Sequence, residues 1–328
     1  MKDSRVYVST NEVPAQALEI LRSIAQVKIY EGKAAPPRRT LLKEVQEVDG
    51  LFCILTERVD RELLDGAKKL KIVANMAVGY DNIDLAEATK RKVMVTNTPG
   101  VLTETVADAT MALMLAVARR VVGADRYVRE GRWKLRWSPM MMVGSDVYGK
   151  TLGIYGLGRI GAAVAKRAAG FGMKLLYYDA VRNEDLERGY GVQYVSFDRL
   201  LRESDFLSVH VPLLPETKKS VGARELALMK RSAYLINTAR GSVVDEAALI
   251  RALKDGRIAG AGLDVFEEEP INSKNELLKM EKVVLAPHMA SGSIETRTAM
   301  AVMAARNILA ALKGEAPPNL LNKEVLNR

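Results

Sequence analysis

A chain of 328 residues is too long for a single small core and suits two domains. Its 48% hydrophobic and 27% charged residues are ordinary for a globular chain, and no run of about 18 apolar residues offers a membrane span. Cys53 stands alone, which excludes a disulfide framework or a paired-cysteine zinc site, and the net charge of +9 is dispersed among acids without the basic stripe that nucleic acid requires.

The N-terminal MKDSRVYVST enters a strand pattern at once and shows no signal-peptide core, so a cytoplasmic protein is expected. Strand-length apolar runs follow at 5–10 (RVYVST), 27–31 (VKIYE), 50–55 (GLFCIL), 71–76 (KIVANM) and 93–98 (VMVTNT). Helix-period segments such as VPAQALEILRSI and DRELLDGAKKL lie between them. Runs without alternation mark strands covered on both faces, as in a parallel sheet. NTPG at 97–100 closes this series, and a very apolar helix is expected from about Thr103 to Arg119, buried between domains or subunits. The stretch 130–150, EGRWKLRWSPMMMVGSDVYGK, lacks periodicity and carries both tryptophans. It reads either as an arm at a homodimer interface or as a loop over its own core. A second strand series runs through 151–156 (TLGIYG), 174–179 (KLLYYD), 205–211 (DFLSVHV), 233–239 (AYLINTA), 260–265 (GAGLDV) and 283–287 (VVLAP). The fold class is therefore α/β, with two doubly wound parallel-sheet domains.

Gly156, Gly158 and Gly161 form G-x-G-x-x-G directly after a strand and at the opening of a helix. The first glycine permits the tight turn, the second lets backbone approach a pyrophosphate, and the third allows close helix–strand packing. Leu157, Arg159 and Ile160 fill the turn, and the amides of Arg159 and Ile160 present the positive end of the helix to phosphate. Asp179 ends the next strand, where a carboxylate bonds both ribose hydroxyls of NAD(H) and repels a 2′-phosphate. NAD(H) is preferred on that ground, with NADP(H) left open because Arg182 stands nearby.

Three further groups fall at the C-terminal ends of later strands, the edge where open α/β sheets gather ligands. They are Arg240 after YLINTA, Glu269 in DVFEEEP, and His288 after VVLAP. Reducing a carbonyl requires an acid at the nascent alkoxide, which histidine supplies near neutrality. A neighbouring carboxylate orients the ring and favours its protonated form, and an arginine fork grips a carboxylate. His210, in SVHVPL, is the competing imidazole and reads as structural or cofactor-adjacent.

The ordered series VGYDNID (78–84), NTPGVLTETVAD (97–108), GLGRIG (156–161), NTARG (237–241), GLDVFEEEP (262–270) and APHMASG (286–292) resembles the D-isomer-specific 2-hydroxyacid dehydrogenases, above all their glyoxylate/hydroxypyruvate reductase branch. The resemblance covers essentially the whole chain. It implies a Rossmann-type cofactor domain, 100–286, inserted into a flavodoxin-like substrate domain, 1–99 plus 287–328. It also implies reduction of a small 2-oxo acid to the D-2-hydroxy acid, with Arg240, Glu269 and His288 as the catalytic arginine, glutamate and proton-donating histidine. The amides of Val78 and Gly79 match those that bind the substrate carboxylate. Asp264 matches the residue that holds the nicotinamide carboxamide. Thr105 matches a position beside the nicotinamide, and Thr238 and Ala239 line the same site. Trp137 resembles an aromatic sent into a partner's active site, which implies a homodimer. HMAS replaces the more usual HIGS, so Met289 narrows or reshapes the pocket. Relatives that prefer NADP carry a Ser-Arg pair where this chain has Asp179 and Ala180. A 3-phosphoglycerate dehydrogenase, or a dinucleotide-sensing interaction protein without catalysis, are the alternative readings. No metal, nucleic-acid or membrane partner is expected.

Overall fold

Residues 4–33 and 35–326 are described by a computed structural model in which the apolar runs become two separate all-parallel sheets. The chain divides into one unit that ends at Leu102 and resumes at Gly292, and a second that spans Thr103–Ser291.

The first unit contains β1 (Arg5–Val8), α1 (Ala15–Arg22), β2 (Gln26–Ile29), α2 (Arg38–Glu44), β3 (Gly50–Cys53), α3 (Arg61–Gly66), β4 (Ile72–Asn75), α4 (Leu85–Lys90) and β5 (Met94–Thr96). The strands lie in the order β2-β1-β3-β4-β5, the flavodoxin-like order with its switch between β1 and β3. The three central strands β1, β3 and β4 are buried on both faces, which is why they read as unbroken apolar runs, whereas the edge strand β2 is exposed or half-buried throughout. Leu41, Leu63, Leu64 and Ala88 bring α2, α3 and α4 onto one face.

The second unit contains α5 (Thr103–Ala118), α6 (Val121–Arg129), β6 (Thr151–Tyr155), α7 (Arg159–Ala169), β7 (Lys174–Tyr178), α8 (Glu184–Tyr190), β8 (Gln193–Tyr194), α9 (Phe197–Glu203), β9 (Phe206–Val209), α10 (Ala223–Leu228), β10 (Tyr234–Asn237), α11 (Glu246–Lys254), β11 (Gly260–Leu263) and β12 (Val283–Leu285). The chain then returns to the first unit as α12 (Ile294–Leu312), which packs on α1 and on β3 and β4. The second sheet runs β12-β11-β10-β9-β6-β7-β8, the Rossmann order with one added strand, and reverses direction of growth between β6 and β9. Among the described residues, no helix is long and apolar enough to cross a membrane.

Three local expectations need correction. The helix expected from about Thr103 to Arg119 runs Thr103–Ala118, and Arg120, at a φ of 54°, caps the start of α6; what differs is where the longer helix is buried. It lies against α7, β10, β11 and β12 of its own unit, where Gly262 lets it approach closely: a Cβ there would stand 3.2 Å from Leu113. Strand β8, of two residues, carries too little apolar sequence to be read in advance. The division between units also differs from the boundaries drawn on sequence. Pro287 to Ser291 stay with the second unit because His288 N–H donates to Asp264 O at 2.8 Å and the Asp264 carboxylate accepts the amides of Met289 and Ala290.

Candidate active site

Parallel strands deliver their C-terminal ends to one edge. Along the second sheet that edge presents, in spatial order, the residues after β12, β11, β10, β9, β6 and β7: His288, Asp264, the Asn237–Arg240 turn, His210, Gly156 and Asp179. Sequence separations of up to 132 residues, from Gly156 to His288, are thereby collapsed onto one row.

The glycine-rich turn follows β6. Gly156 has a φ of 98°, and a Cβ on it would lie 2.8 Å from Val211 N, so no larger residue fits. At Gly161 a Cβ would lie 2.2 Å from Gly156 O, which is the close packing of α7 on the turn. Gly158 is different: a Cβ there would meet nothing within 4 Å, leaving open space in front of the first amides of α7. Those amides lack intrahelical acceptors by helix geometry. Asp179 Oδ2 accepts Leu157 N–H at 2.8 Å and Oδ1 accepts Ala180 N–H at 2.7 Å, so the carboxylate is fixed beside the turn. An open glycine, free helical amides and a fixed acid at the next strand end fit a dinucleotide's pyrophosphate and ribose. Arg182 is held by Glu187, with Nε–Oε1 at 2.7 Å and Nη2–Oε2 at 2.9 Å. That pairing keeps its guanidinium fully charged and directed at α8.

At the other end of the row, His288 Nδ1 is 2.6 Å from Glu269 Oε2. Glu269 Oε1 accepts Phe266 N–H at 3.0 Å, which fixes the carboxylate from behind. Burial alone would raise the Glu269 carboxyl, but the His288 hydrogen bond, the Phe266 amide and the charges of His288 and Arg240 outweigh it and hold it below the usual range. His288 itself has a φ of 51°, a left-handed conformation uncommon for a non-glycine residue, which its backbone bond to Asp264 maintains. Arg240 is presented by a turn built on Asn237, whose Nδ2 donates to Arg240 O at 2.9 Å and whose Oδ1 accepts Ala239 N–H at 3.0 Å. Gly241 then passes so near the next loop that a Cβ would be 1.9 Å from the Phe266 carbonyl carbon. The loops bearing Arg240 and Glu269 are thus one packed block.

Arg240, Glu269 and His288 are therefore brought together, with Asp264 behind them. Burial pushes the Asp264 carboxyl up, although the amides of Met289 and Ala290 and the charge of His288 act against it. Thr238 is buried, its hydroxyl 2.8 Å from that of Thr110; Ala239 is half-buried, and Thr105 lies in the first turn of α5. His210, between the two ends of the row, has Nε2 2.8 Å from Ser208 Oγ, and burial lowers its pKa to about 4, so its ring is neutral. Trp137 is not gathered with the others; it is 73% exposed on the stretch between α6 and β6. Val78 and Gly79 belong to the first unit, on the turn after β4, and are half-buried.

Sequence reasoning missed Asn237 and Gly241, which build the Arg240 turn. The signal was present in NTARG, where an asparagine ends a strand and a glycine follows the arginine, but the use of each depends on a partner loop elsewhere in the chain.

Residues 111–290 match the family model described as D-isomer specific 2-hydroxyacid dehydrogenase, NAD binding domain. The glyoxylate reductase of Korarchaeum cryptofilum is 57% identical over 322 residues, 98% of this chain and 97% of that protein. The glyoxylate reductase of Thermococcus litoralis is 55% identical, over 97% of this chain and 96% of its own length. Among solved structures, a glyoxylate reductase from Paecilomyes thermophila superposes with a TM-score of 0.87 at 32% identity, over 99% of this chain and 100% of that one. An NADPH-dependent glyoxylate/hydroxypyruvate reductase from Sinorhizobium meliloti, solved with NADP and malonate, gives 0.84 at 36% identity, over 98% of this chain and 97% of its own.

Proposed function

Because the chain belongs to the D-isomer-specific 2-hydroxyacid dehydrogenase family, we propose that it reduces glyoxylate or hydroxypyruvate to the D-2-hydroxy acid, with NADH used in preference to NADPH. The observation that carries this reading is the 2.6 Å bond between His288 and Glu269 on the same sheet edge as the dinucleotide turn.

The turn from Gly156 to Gly161 would hold the pyrophosphate through the amides of Arg159 and Ile160, and Asp179, held by the Leu157 amide, the adenosine ribose. Thr105, Thr238, Ala239 and Asp264 would hold the nicotinamide end. When bound, the reduced dinucleotide supplies a hydride to the substrate's carbonyl carbon. Arg240 would offer its planar fork to a substrate carboxylate, and the amides of Val78 and Gly79, on the first unit, are the pair that the family resemblance assigns to carboxylate binding. His288 gives the proton on Nε2 to the carbonyl oxygen as negative charge develops there. Glu269, ionised because its carboxyl is held low, keeps the other ring proton on Nδ1 and so fixes the tautomer left behind. Asp179 disfavours a 2′-phosphate, and Arg182 is engaged by Glu187, which supports the NADH preference.

The same reading makes the protein a cytoplasmic homodimer. Val121, Val122 and Val128 on α6 are exposed, as are Trp133, Leu135, Trp137 and Met140 beyond it, an apolar surface suited to a second copy. A panel of glyoxylate, hydroxypyruvate, pyruvate and 3-phosphohydroxypyruvate, each with NADH and NADPH, tests the activity. Fastest turnover is expected for one of the first two with NADH, and no oxidation of either dinucleotide with any member refutes it.

A further inference from the structure

The site reading above needs the amides of Val78 and Gly79 to face one ligand, yet nothing in an extended chain would make two successive amides do so, since they alternate. The turn after β4 solves this through its carbonyls. Ala77 O accepts Thr98 N–H at 2.9 Å, Val78 O accepts Asn97 Nδ2 at 2.7 Å, and Gly79 O accepts Asn75 Nδ2 at 2.9 Å. Three consecutive carbonyls are thus taken by donors from the ends of the neighbouring strands β4 and β5. In a trans peptide the N–H points opposite to the C=O of the same unit, so these bonds turn the amides of Val78 and Gly79 away from β5 and hold them there.

We propose that Asn97, supported by Asn75, is a positioning residue for substrate: by pinning the Val78 carbonyl it aims the Gly79 amide, and with it the amide pair, at the 2-oxo acid's carboxylate. The inference rests on the function proposed above and adds two residues to it. Both side chains are built into place. Asn97 is 7% exposed and Asn75 is fully buried, whereas Val78 and Gly79 are half-buried. Asn75 also bonds Asn82 Oδ1 at 3.2 Å, and Asn82 reaches Ile54 O and Glu57 O, so its amide cannot swing away. Asn97 has its own carbonyl 3.5 Å from Asn307 Nδ2 on α12, which anchors it from the opposite side. A buried side-chain amide that donates to one half-buried turn is a device for orienting that turn. The hydrogen bond to a charged ligand that depends on it is of the stronger kind.

The test is steady-state kinetics of the full chain at saturating NADH, with NADH binding measured in parallel. Asn97→Ala is expected to raise the KM for glyoxylate about ten-fold, with kcat within about two-fold of wild type and NADH affinity unchanged. An unchanged KM, or a fall in kcat at constant KM, overturns the inference while leaving the proposed function intact. If Asn97→Ala does not fold, Asn97→Ser, which keeps a donor at shorter reach, is expected to raise KM by a smaller factor, and wild-type KM in that variant overturns the inference equally. Failure of the wild-type protein to reduce glyoxylate or hydroxypyruvate sinks the functional reading first, and that failure is visible before any variant is made.

Discussion

Gly241 lies against Phe266 with no room for a side chain: a Cβ would stand 1.9 Å from the Phe266 carbonyl carbon and oxygen. The contact is backbone on backbone, so neither partner can rotate away. Gly241→Ala is expected to destabilise the protein by about 1–3 kcal/mol and to lower kcat/KM more than ten-fold, because it pushes the Arg240 turn off the loop that carries Glu269. Urea unfolding and kinetics check it, and wild-type values in both would show that the loops adjust freely.

His288→Asn removes the proton donor and keeps the volume of the ring's inner half. Turnover of glyoxylate is expected to fall by about 10²–10⁴, with NADH binding retained. Stopped-flow NADH oxidation and fluorescence titration measure the two quantities. Near-normal turnover removes His288 from the mechanism.

Glu269 gives a pH dependence with a definite sign. Its carboxyl is held below the ordinary value, so the unfolded chain takes up that proton before the folded one does. The stability this group contributes is therefore fully present above the unfolded value, about 4.3, and is lost as pH falls through the folded one. The difference in urea midpoint between wild type and Glu269→Gln should be constant near neutrality and close in acid. A difference that persists undiminished at about pH 3 contradicts the pairing.

Dinucleotide preference is expected to depend on two acids. Asp179→Ala should cut the NADH:NADPH ratio of kcat/KM by about ten-fold or more, and it also frees the Leu157 amide that Asp179 now accepts at 2.8 Å. Glu187→Gln releases the guanidinium of Arg182 and should raise kcat/KM for NADPH alone. Unaltered ratios in both variants would assign the preference elsewhere.

The dimer is tested on α6. Val121→Arg with Val128→Arg places two charges on one exposed face of α6. Light scattering is expected to show one chain where the wild type shows two; a monomeric wild type refutes the proposal outright.

Much of this was readable from residues because the informative parts are local. Gly156, Gly158 and Gly161 are fixed by one turn, and Asp179 by the strand that follows. Arg240, Glu269 and His288 were readable as strand-end residues, since parallel topology sends every such residue to one edge. What escaped depends on partners distant in sequence. Asn97 matters through Val78, 19 positions earlier, and Gly241 through Phe266, and neither partner leaves a periodicity or composition signal. Strand ends were overrun by one or two residues: β4 ends at Asn75 and β5 at Thr96, where the side chains of Asn75 and Asn97 bond the turn after β4, and those bonds leave no local pattern. The resemblance implied a boundary at 287, whereas the backbone bond from His288 to Asp264 keeps the chain with the second unit as far as Ser291.

The return of the chain to its first sheet has a consequence for synthesis. Leu321 N–H bonds Val95 O at 2.8 Å and Asn322 Oδ1 accepts Val95 N–H at 2.8 Å, so β5 gets its outer neighbour only from residues made more than two hundred positions later. On the ribosome the continuous 103–291 segment can finish its own fold while the earlier sheet still waits, one border bare and one face lacking α12. The first sheet is thus completed after the second, and its β5 border stays unpaired until Leu321 and Asn322 have been made.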